Sequence, residues 1–322
     1  MIIISYVEKI VILNSGTLEK IQEIFMSQNR FGTFSMTNDD KFILFPDKEV
    51  LHFYDLSSFR DKETVNVDFQ IIFITQSIDN SLVFINGKKR QFYVLAFPVL
   101  EWEKSKIITS NEPLDRTKMV IKEDGYFKTW DFETDKTENI IENKPGGWEV
   151  QNEENFFVYC YSDYTFSKVN IPTKTISTIT LDRNVYEMIR SVAFSPDTKY
   201  FMTGTEKRVL LWDCESMTIL KEFKGHDSTS WTMCYLAKSN AIAGMAQNKT
   251  VRVWDIETTK EISVITETCK TYTMNITHNE EMLILVPVDS STNIWDWRKN
   301  IRLHTIRGIE PPIVRISITE ND

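Results

Sequence analysis

A Trp-Asp pair closes a short apolar run at four places in this chain, and the spacing of those pairs constrains the fold more than any other feature. The pairs are Trp130-Asp131, Trp212-Asp213, Trp254-Asp255 and Trp295-Asp296. Asp213 to Asp255 spans about 42 positions, Asp255 to Asp296 about 41, and Asp131 to Asp213 about 82, which is two units with a degenerate copy between them. A period near 40 residues implies one supersecondary unit used many times, each copy burying its apolar face against its neighbours.

The unit is clearest in one copy. Ser191-Val192-Ala193-Phe194 alternates and meets the turn signal Ser195-Pro196-Asp197; Tyr200 to Thr203, Arg208 to Trp212 and Thr218 to Phe223 follow as three more strands. The stretch SVAFSPDTKYFMTGTEKRVLLWD, with KGH at Lys224 to His226 and NKTVRVWDIETT from Asn248, resembles the WD-repeat family. The resemblance is strongest from Met188 to Lys299 and implies a β-propeller of four-stranded blades set radially around a channel.

Upstream copies are found by aligning on the Asp of the pair. LHFYDLSSF puts Asp55 in that slot, QFYVLAFPV puts Ala96 there and FSKVNIPTKTIS puts Asn170 there. The intervals 55 to 96, 96 to 131, 131 to 170 and 170 to 213 are about 41, 35, 39 and 43. The short interval from Ala96 to Asp131 marks the place where a strand can be missing.

The two ends are complementary. Pro312 to Thr319, followed by Glu320-Asn321-Asp322, matches a first strand and its turn, as in MNITHNE from Met274 and FSMTNDD from Phe34. Ile2 to Ser5, Tyr6 to Asn14 and Leu18 to Met26 supply a second, third and fourth strand. Sharing one blade would close the ring and leave no long unpaired edge. The 322 residues divide into about 40 per blade for eight blades and about 46 for seven, so an all-β propeller of eight blades is expected. It forms one domain over 1–322, with a closing blade split between 1–30 and 309–322 and the other blades over 31–308.

Composition sets the class of partner. Hydrophobic residues at 42% and aromatics at 12% suffice for a packed core, while a formal net charge of −9 argues against a broad attraction to nucleic-acid phosphates. The basic run Lys88-Lys89-Arg90 reads as a polar hairpin turn. Apolar stretches such as Phe69 to Thr75 are too short to cross a bilayer, and Met1-Ile2-Ile3-Ile4 lacks the features of a secretory leader. Cys160, Cys214, Cys234 and Cys269 show no paired spacing, which suits a reducing compartment, so an intracellular and mainly cytoplasmic protein is expected, as part of a cytoskeletal or nuclear assembly if not free in the cytoplasm.

No catalytic motif is legible. His52, His226, His278 and His304 are scattered, there is no nucleophile elbow, and the chain's 10 glycines leave little material for a phosphate-binding or dinucleotide loop. Neither a cofactor nor a metal is implied. In the family, a Gly-His pair, a hydroxyl on the second strand, an Asp before the third strand and the Trp form a hydrogen-bond network. Here the candidate members are His226, Asn248 and Trp254. Six residues before each Trp stand Asp124, Glu206, Asn248 and Asp289, so three blades keep an acid but lack the Gly-His partner. No copy holds the complete set, and packing between blades is expected to carry rigidity.

Two surfaces are candidates for binding. Aligning first strands on Phe194, Tyr235 and Ile276 puts Arg190, Trp231 and Tyr272 in one slot of three consecutive blades, at the end the family commonly uses for docking. Arg, Trp and Tyr are enriched in interface hot spots; the competing role for the two aromatics is packing between blades. The second candidate is Ile294-Trp295-Asp296-Trp297-Arg298, which resembles the Trp-Asp-x-Arg box of substrate receptors of a cullin-RING ubiquitin ligase. Glu215 and Glu257 stand where other blades would repeat that Arg. The expected function is a noncatalytic scaffold or adaptor within a protein assembly. The alternatives are a ligase receptor acting through Arg298 and a propeller enzyme with a composite site in its channel.

Overall fold

Apolar alternation at this period is satisfied by short antiparallel strands, and these are the regular elements of the computed structural model among the residues it describes. The structure describes residues 1–6, 9–26, 34–37, 39–67, 70–76, 82–87, 92–96, 102–103, 118–123, 126–131, 134, 136–142, 148–153, 156–160, 164–289, 291–306 and 313–318. Among these there is no helix, and the strands form eight antiparallel sheets, seven of four strands and one of three. They fall into two compact units, Met1–Asn143 with Pro312–Asp322, and Lys144–Pro311.

In the first unit, sheet 1 contains β1 (Ile2–Tyr6), β2 (Lys9–Leu13) and β3 (Lys20–Phe25). Sheet 2 contains β4 (Ser35–Met36), β5 (Phe42–Asp47), β6 (Val50–Asp55) and β7 (Arg60–Asn66); sheet 3 contains β8 (Ile71–Gln76), β9 (Leu82–Gly87), β10 (Phe92–Ala96) and β11 (Trp102–Glu103). Sheet 4 has three strands among the described residues, β12 (Lys118–Glu123), β13 (Tyr126–Asp131) and β14 (Lys136–Glu142), at the place where the repeat interval is short. The basic turn at Lys88 to Arg90 lies outside the described residues, although β9 and β10 pair as expected.

In the second unit, sheet 5 contains β15 (Trp148–Glu153), β16 (Phe156–Cys160), β17 (Thr165–Asn170) and β18 (Ile176–Thr180), and sheet 6 contains β19 (Ser191–Phe194), β20 (Tyr200–Gly204), β21 (Arg208–Asp213) and β22 (Ile219–Lys224). Sheet 7 contains β23 (Ser230–Leu236), β24 (Ala241–Ala246), β25 (Thr250–Asp255) and β26 (Glu261–Thr266); sheet 8 contains β27 (Thr271–Ile276), β28 (Met282–Pro287), β29 (Thr292–Asp296) and β30 (Ile301–Ile306). The last strand, β31 (Ile313–Ile318), returns to the first unit and pairs antiparallel with β1, with Ile2 opposite Ile318 and Ile4 opposite Ile316. The C-terminal strand therefore completes the N-terminal sheet.

Within each unit the core lies between consecutive sheets. Ile3, Ile10 and Ile12 of sheet 1 pack with Ile43, Phe45 and Tyr54 of sheet 2; Phe166 of sheet 5 meets Phe201 and Trp212 of sheet 6. Second strands are covered on both faces, which is why Ala241–Ala246 and Ile2–Tyr6 are buried throughout and are mostly apolar without alternation. Fourth strands are edges, and Arg60–Asn66 is exposed and charged.

Third and fourth strands are joined by one recurring turn, closed by the Asp of the Trp-Asp pair. Asp213 Oδ1 accepts from Ser216 N at 2.7 Å, Asp255 Oδ1 from Thr258 N at 2.7 Å, Asp131 Oδ1 from Thr134 N at 2.9 Å and Asp296 Oδ1 from Lys299 N at 3.0 Å. The degenerate slots do the same: Asp55 Oδ1 accepts from Ser57 N at 2.7 Å and Asn170 Oδ1 from Thr173 N at 2.9 Å. Asn14, at the end of β2, accepts from Gly16 N at 2.8 Å and Thr17 N at 2.9 Å, which adds a copy about 41 positions before Asp55.

Four residues after the cap, Leu18, Phe59, Lys174, Met217, Thr259 and Asn300 all have φ between 54° and 60°. That left-handed conformation costs a non-glycine residue about 1 kcal/mol. The capping bonds and flanking strand pairs hold it in place, so the repeat needs few glycines. Hydrogen bonds from Ser216, and from Thr258, lower the Asp213 and Asp255 carboxyl pKa values below the usual range.

Candidate functional site

The three indoles of the Trp-Asp pairs in the second unit each find an acceptor, and each finds a different kind. Trp212 Nε1 donates to the Thr203 hydroxyl at 2.9 Å, Trp254 Nε1 to the Lys224 carbonyl at 2.9 Å, and Trp295 Nε1 to the Glu267 carboxylate at 2.7 Å. Trp130 of the first unit is likewise buried. Glu267 is only 3% exposed, and its other oxygen accepts from Asn293 Nδ2 at 2.9 Å.

Glu267 lies about 28 positions before Trp295, the same offset that separates His226 from Trp254. It occupies the family's His slot in sheet 8. A search for a Gly-His pair misses it; the constant offset from the Trp is the signal that finds it. Replacing Thr203 by Val keeps the shape but strands the Trp212 N–H, and is expected to destabilise the protein by about 1–3 kcal/mol, read as a lower urea midpoint with unchanged m-value.

The expected His226, Asn248 and Trp254 network is corrected by the structure. Asn248 Nδ2 donates to Asp227, while its oxygen caps Thr250, accepting from N at 3.1 Å and Oγ1 at 2.6 Å. Asp289 caps Ser291 in the same way, from N at 3.0 Å and Oγ at 2.7 Å. Both residues hold the turn before the third strand rather than a histidine. Asp124 lies outside the described residues, and Glu206 is exposed. His226 is buried edge-on to Trp254, with ring centroids 5.1 Å apart, and neither ring nitrogen has a hydrogen-bond partner among the described residues.

Arg190, Trp231 and Tyr272 share a position at the start of the first strand in sheets 6, 7 and 8, and all three are exposed. In β23 the pairing passes from Ser230 opposite Ala246 to Thr232 opposite Met245, leaving Trp231 as the extra residue of a β-bulge. β27 repeats this, with Thr271 opposite Pro287, Thr273 opposite Val286 and Tyr272 extra. The register also shifts at Ile72 in sheet 3 and at Val314 in sheet 1, the same repeat position.

A bulge frees one residue from the ladder and re-aims its side chain. Trp231 is accordingly 52% and Tyr272 62% exposed, so packing between sheets, the competing role for these rings, is not what they do. The strands that carry the three residues lie side by side, β19 against β23 and β23 against β27. Arg190 is anchored by its backbone, N to Gly204 O at 2.8 Å, and its guanidinium donates to Met188 Sδ at 3.8 Å.

Arg298 is held differently. Its guanidinium lies 4.4 Å from the centroid of the Trp297 ring and donates to Glu280 O at 3.0 Å and Ser239 Oγ at 2.6 Å. It ties the turns of sheets 7 and 8 together. Among the described residues no group of three or more His, Cys, Asp or Glu could hold a metal ion, and no helix is long and apolar enough to cross a membrane.

Comparison with known proteins agrees with this architecture. The family model "WD domain, G-beta repeat" matches residues 177–213 and 217–255. No curated protein sequence matches the chain. Among solved structures, dihydro-heme d1 dehydrogenase NirN in complex with DHE is similar, with a TM-score of 0.73 and 12% identity over 98% of this chain and 74% of that one. The computationally designed Ika8 protein is similar with a TM-score of 0.62 and 15% identity over 85% of this chain and 86% of that one. At such identities the likeness concerns the fold alone. Two consecutive stretches of this chain thus match WD repeats, and the sheets around them carry the same turn and strand order, an all-β architecture similar to that of propeller structures.

Proposed function

We propose that this protein is a noncatalytic scaffold or adaptor, an eight-bladed propeller whose ring is closed by the sheet of β1, β2, β3 and β31, and that it binds protein partners through Arg190, Trp231 and Tyr272. The ring is supported by the count of eight sheets among the described residues and by the β1–β31 pairing. The binding reading rests on one observation: two large aromatics are each the unpaired residue of a bulge at one repeat position, and both face solvent. Exposing two such rings in register forgoes burial worth about 1.5–3 kcal/mol each, which is understandable where a partner supplies the burial.

A protein partner suits the formal net charge of −9 better than a nucleic acid does. An intracellular location fits four cysteines outside any disulfide, two of which have thiols made inert by burial, Cys234 being pushed up to about 12. The ligase-receptor alternative needs an Arg298 free to project, whereas its donors already serve Glu280 and Ser239.

The test is affinity purification with mass spectrometry of wild-type protein beside Trp231→Ala and Tyr272→Ala, followed by titration of the purified partner. Each variant is expected to melt within a few degrees of wild type and to bind its partner about 30-fold more weakly, corresponding to about 2 kcal/mol. Unchanged affinity in both variants would overturn the site. Loss that tracks Arg298→Ala instead would favour the ligase-receptor alternative.

A further inference from the structure

His226 sits at the start of the connection between β22 and β23, the segment that delivers Trp231 to its bulge. The connection begins at Gly225, whose φ of 132° is open to glycine and to few other residues. It is held at its far end by two backbone bonds, Gln247 N to Thr229 O at 2.9 Å and Ser230 N to Thr205 O at 3.0 Å. Between these points the imidazole is the main apolar anchor, 5% exposed and set against the edge of Trp254. Of the polar side chains beside it in sequence, Asp227 is held by Asn248, while Ser228 Oγ and Ser230 Oγ are buried without hydrogen-bond partners among the described residues.

The surroundings suit a neutral ring and oppose a charged one. Of the charged groups facing it, Arg252 on β25 repels an imidazolium, and Glu261 on β26 is already paired with Arg252. Asp227 would attract it, but that carboxylate accepts from Asn248. Burial foremost, with Arg252 adding to it, lowers the His226 pKa to about 4, while the Gly244 backbone and Asp227 pull weakly the other way.

We propose that His226 is an acid-sensitive latch on the β22–β23 connection, whose protonation swings residues 225–231 out about Gly225 and takes Trp231 from its bulged position while the sheets remain folded. The imidazole is in place when neutral; protonated, it needs water, and the glycine hinge gives it a way to reach water without unfolding the sheets. The direction follows from linkage. The closed segment holds His226 at a pKa below the ordinary value of about 6.5, so between that value and about 4 the open segment binds one proton more. Closure is therefore complete above about pH 6.5 and weakens as pH falls, by about tenfold in the opening constant per pH unit.

Hydrogen exchange of the full-length protein, corrected for the intrinsic pH dependence of amide chemistry, reads this at residues 225–231 between pH 7.5 and 4.5. Exchange there is expected to accelerate about tenfold per pH unit below 6.5, while β20 and β24 stay protected. In His226→Gln, whose side chain does not titrate, that acceleration disappears. NMR of the ring Cε1–H signal in wild-type protein gives a second reading if the variant fails to fold: the His226 signal should remain that of neutral imidazole in the closed species. The same acid response in His226→Gln, acceleration spread evenly through sheets 6 and 7, or a ring that protonates near pH 6.5 with the segment still protected would each overturn the latch.

Discussion

Deleting residues 312–322 is expected to cost this protein on the order of 5 kcal/mol and to lower its melting temperature by roughly 10 °C or more, with aggregation during heating. The deletion removes β31 and leaves β1 as an unpaired edge whose Ile2, Ile3 and Ile4 side chains are fully buried in the intact protein. A six-residue antiparallel strand contributes several net hydrogen bonds at about 1 kcal/mol each, before any apolar contact is counted. A flat apolar edge of that kind also templates association with other chains. Melting in the presence and absence of the segment, together with light scattering, checks this. A truncated protein that melts like the intact one and stays monomeric would mean that the shared sheet adds nothing to stability.

Glu267→Ala is expected to destabilise by about 3 kcal/mol, because it strands two buried donors at once, Trp295 Nε1 and Asn293 Nδ2. Glu267→Gln keeps one acceptor oxygen and should fall between wild type and Ala. The order wild type, Gln, Ala in urea midpoint at constant m-value is the expected result. An Ala variant within 0.5 kcal/mol of wild type would show that water or a local rearrangement satisfies both donors. Since Asn293 also accepts from Thr305 on β30 at 2.8 Å, the damage should extend to the fourth strand of sheet 8.

Much of the fold was legible because the repeat writes each turn twice, once in spacing and once in residue type. Asp55 and Asn170 are placed by aligning their segments on the Trp-Asp position and by the intervals that result, and both cap the same turn as Asp213 and Asp255. The matched segments from Phe34 and Met274 put Thr37 and Thr277 at one turn and Ser195 opens a turn signal of its own, and each hydroxyl accepts from the strand across the turn, from Phe42, Met282 and Tyr200 N at 2.9, 3.0 and 3.0 Å. Such turns are local, depending on residues within about six positions of one another, and a single sequence carries that information. The complementarity of the two termini was also readable, since a strand pattern at each end is visible without knowing the path between them.

The sequence by itself thus determined the repeat, its turns and the strands at both ends that make one sheet. The tertiary structure alone decided which way Trp231 and Tyr272 face, because a bulge is a property of the register between two strands and the same residues in regular pairing would point elsewhere. It alone decided that Glu267 takes the place of a histidine and that His226 packs edge-on to Trp254 instead of joining Asn248 in a network. Those outcomes depend on which atoms of an adjoining strand or sheet come within about 3 Å, a distance that residue type and spacing do not specify.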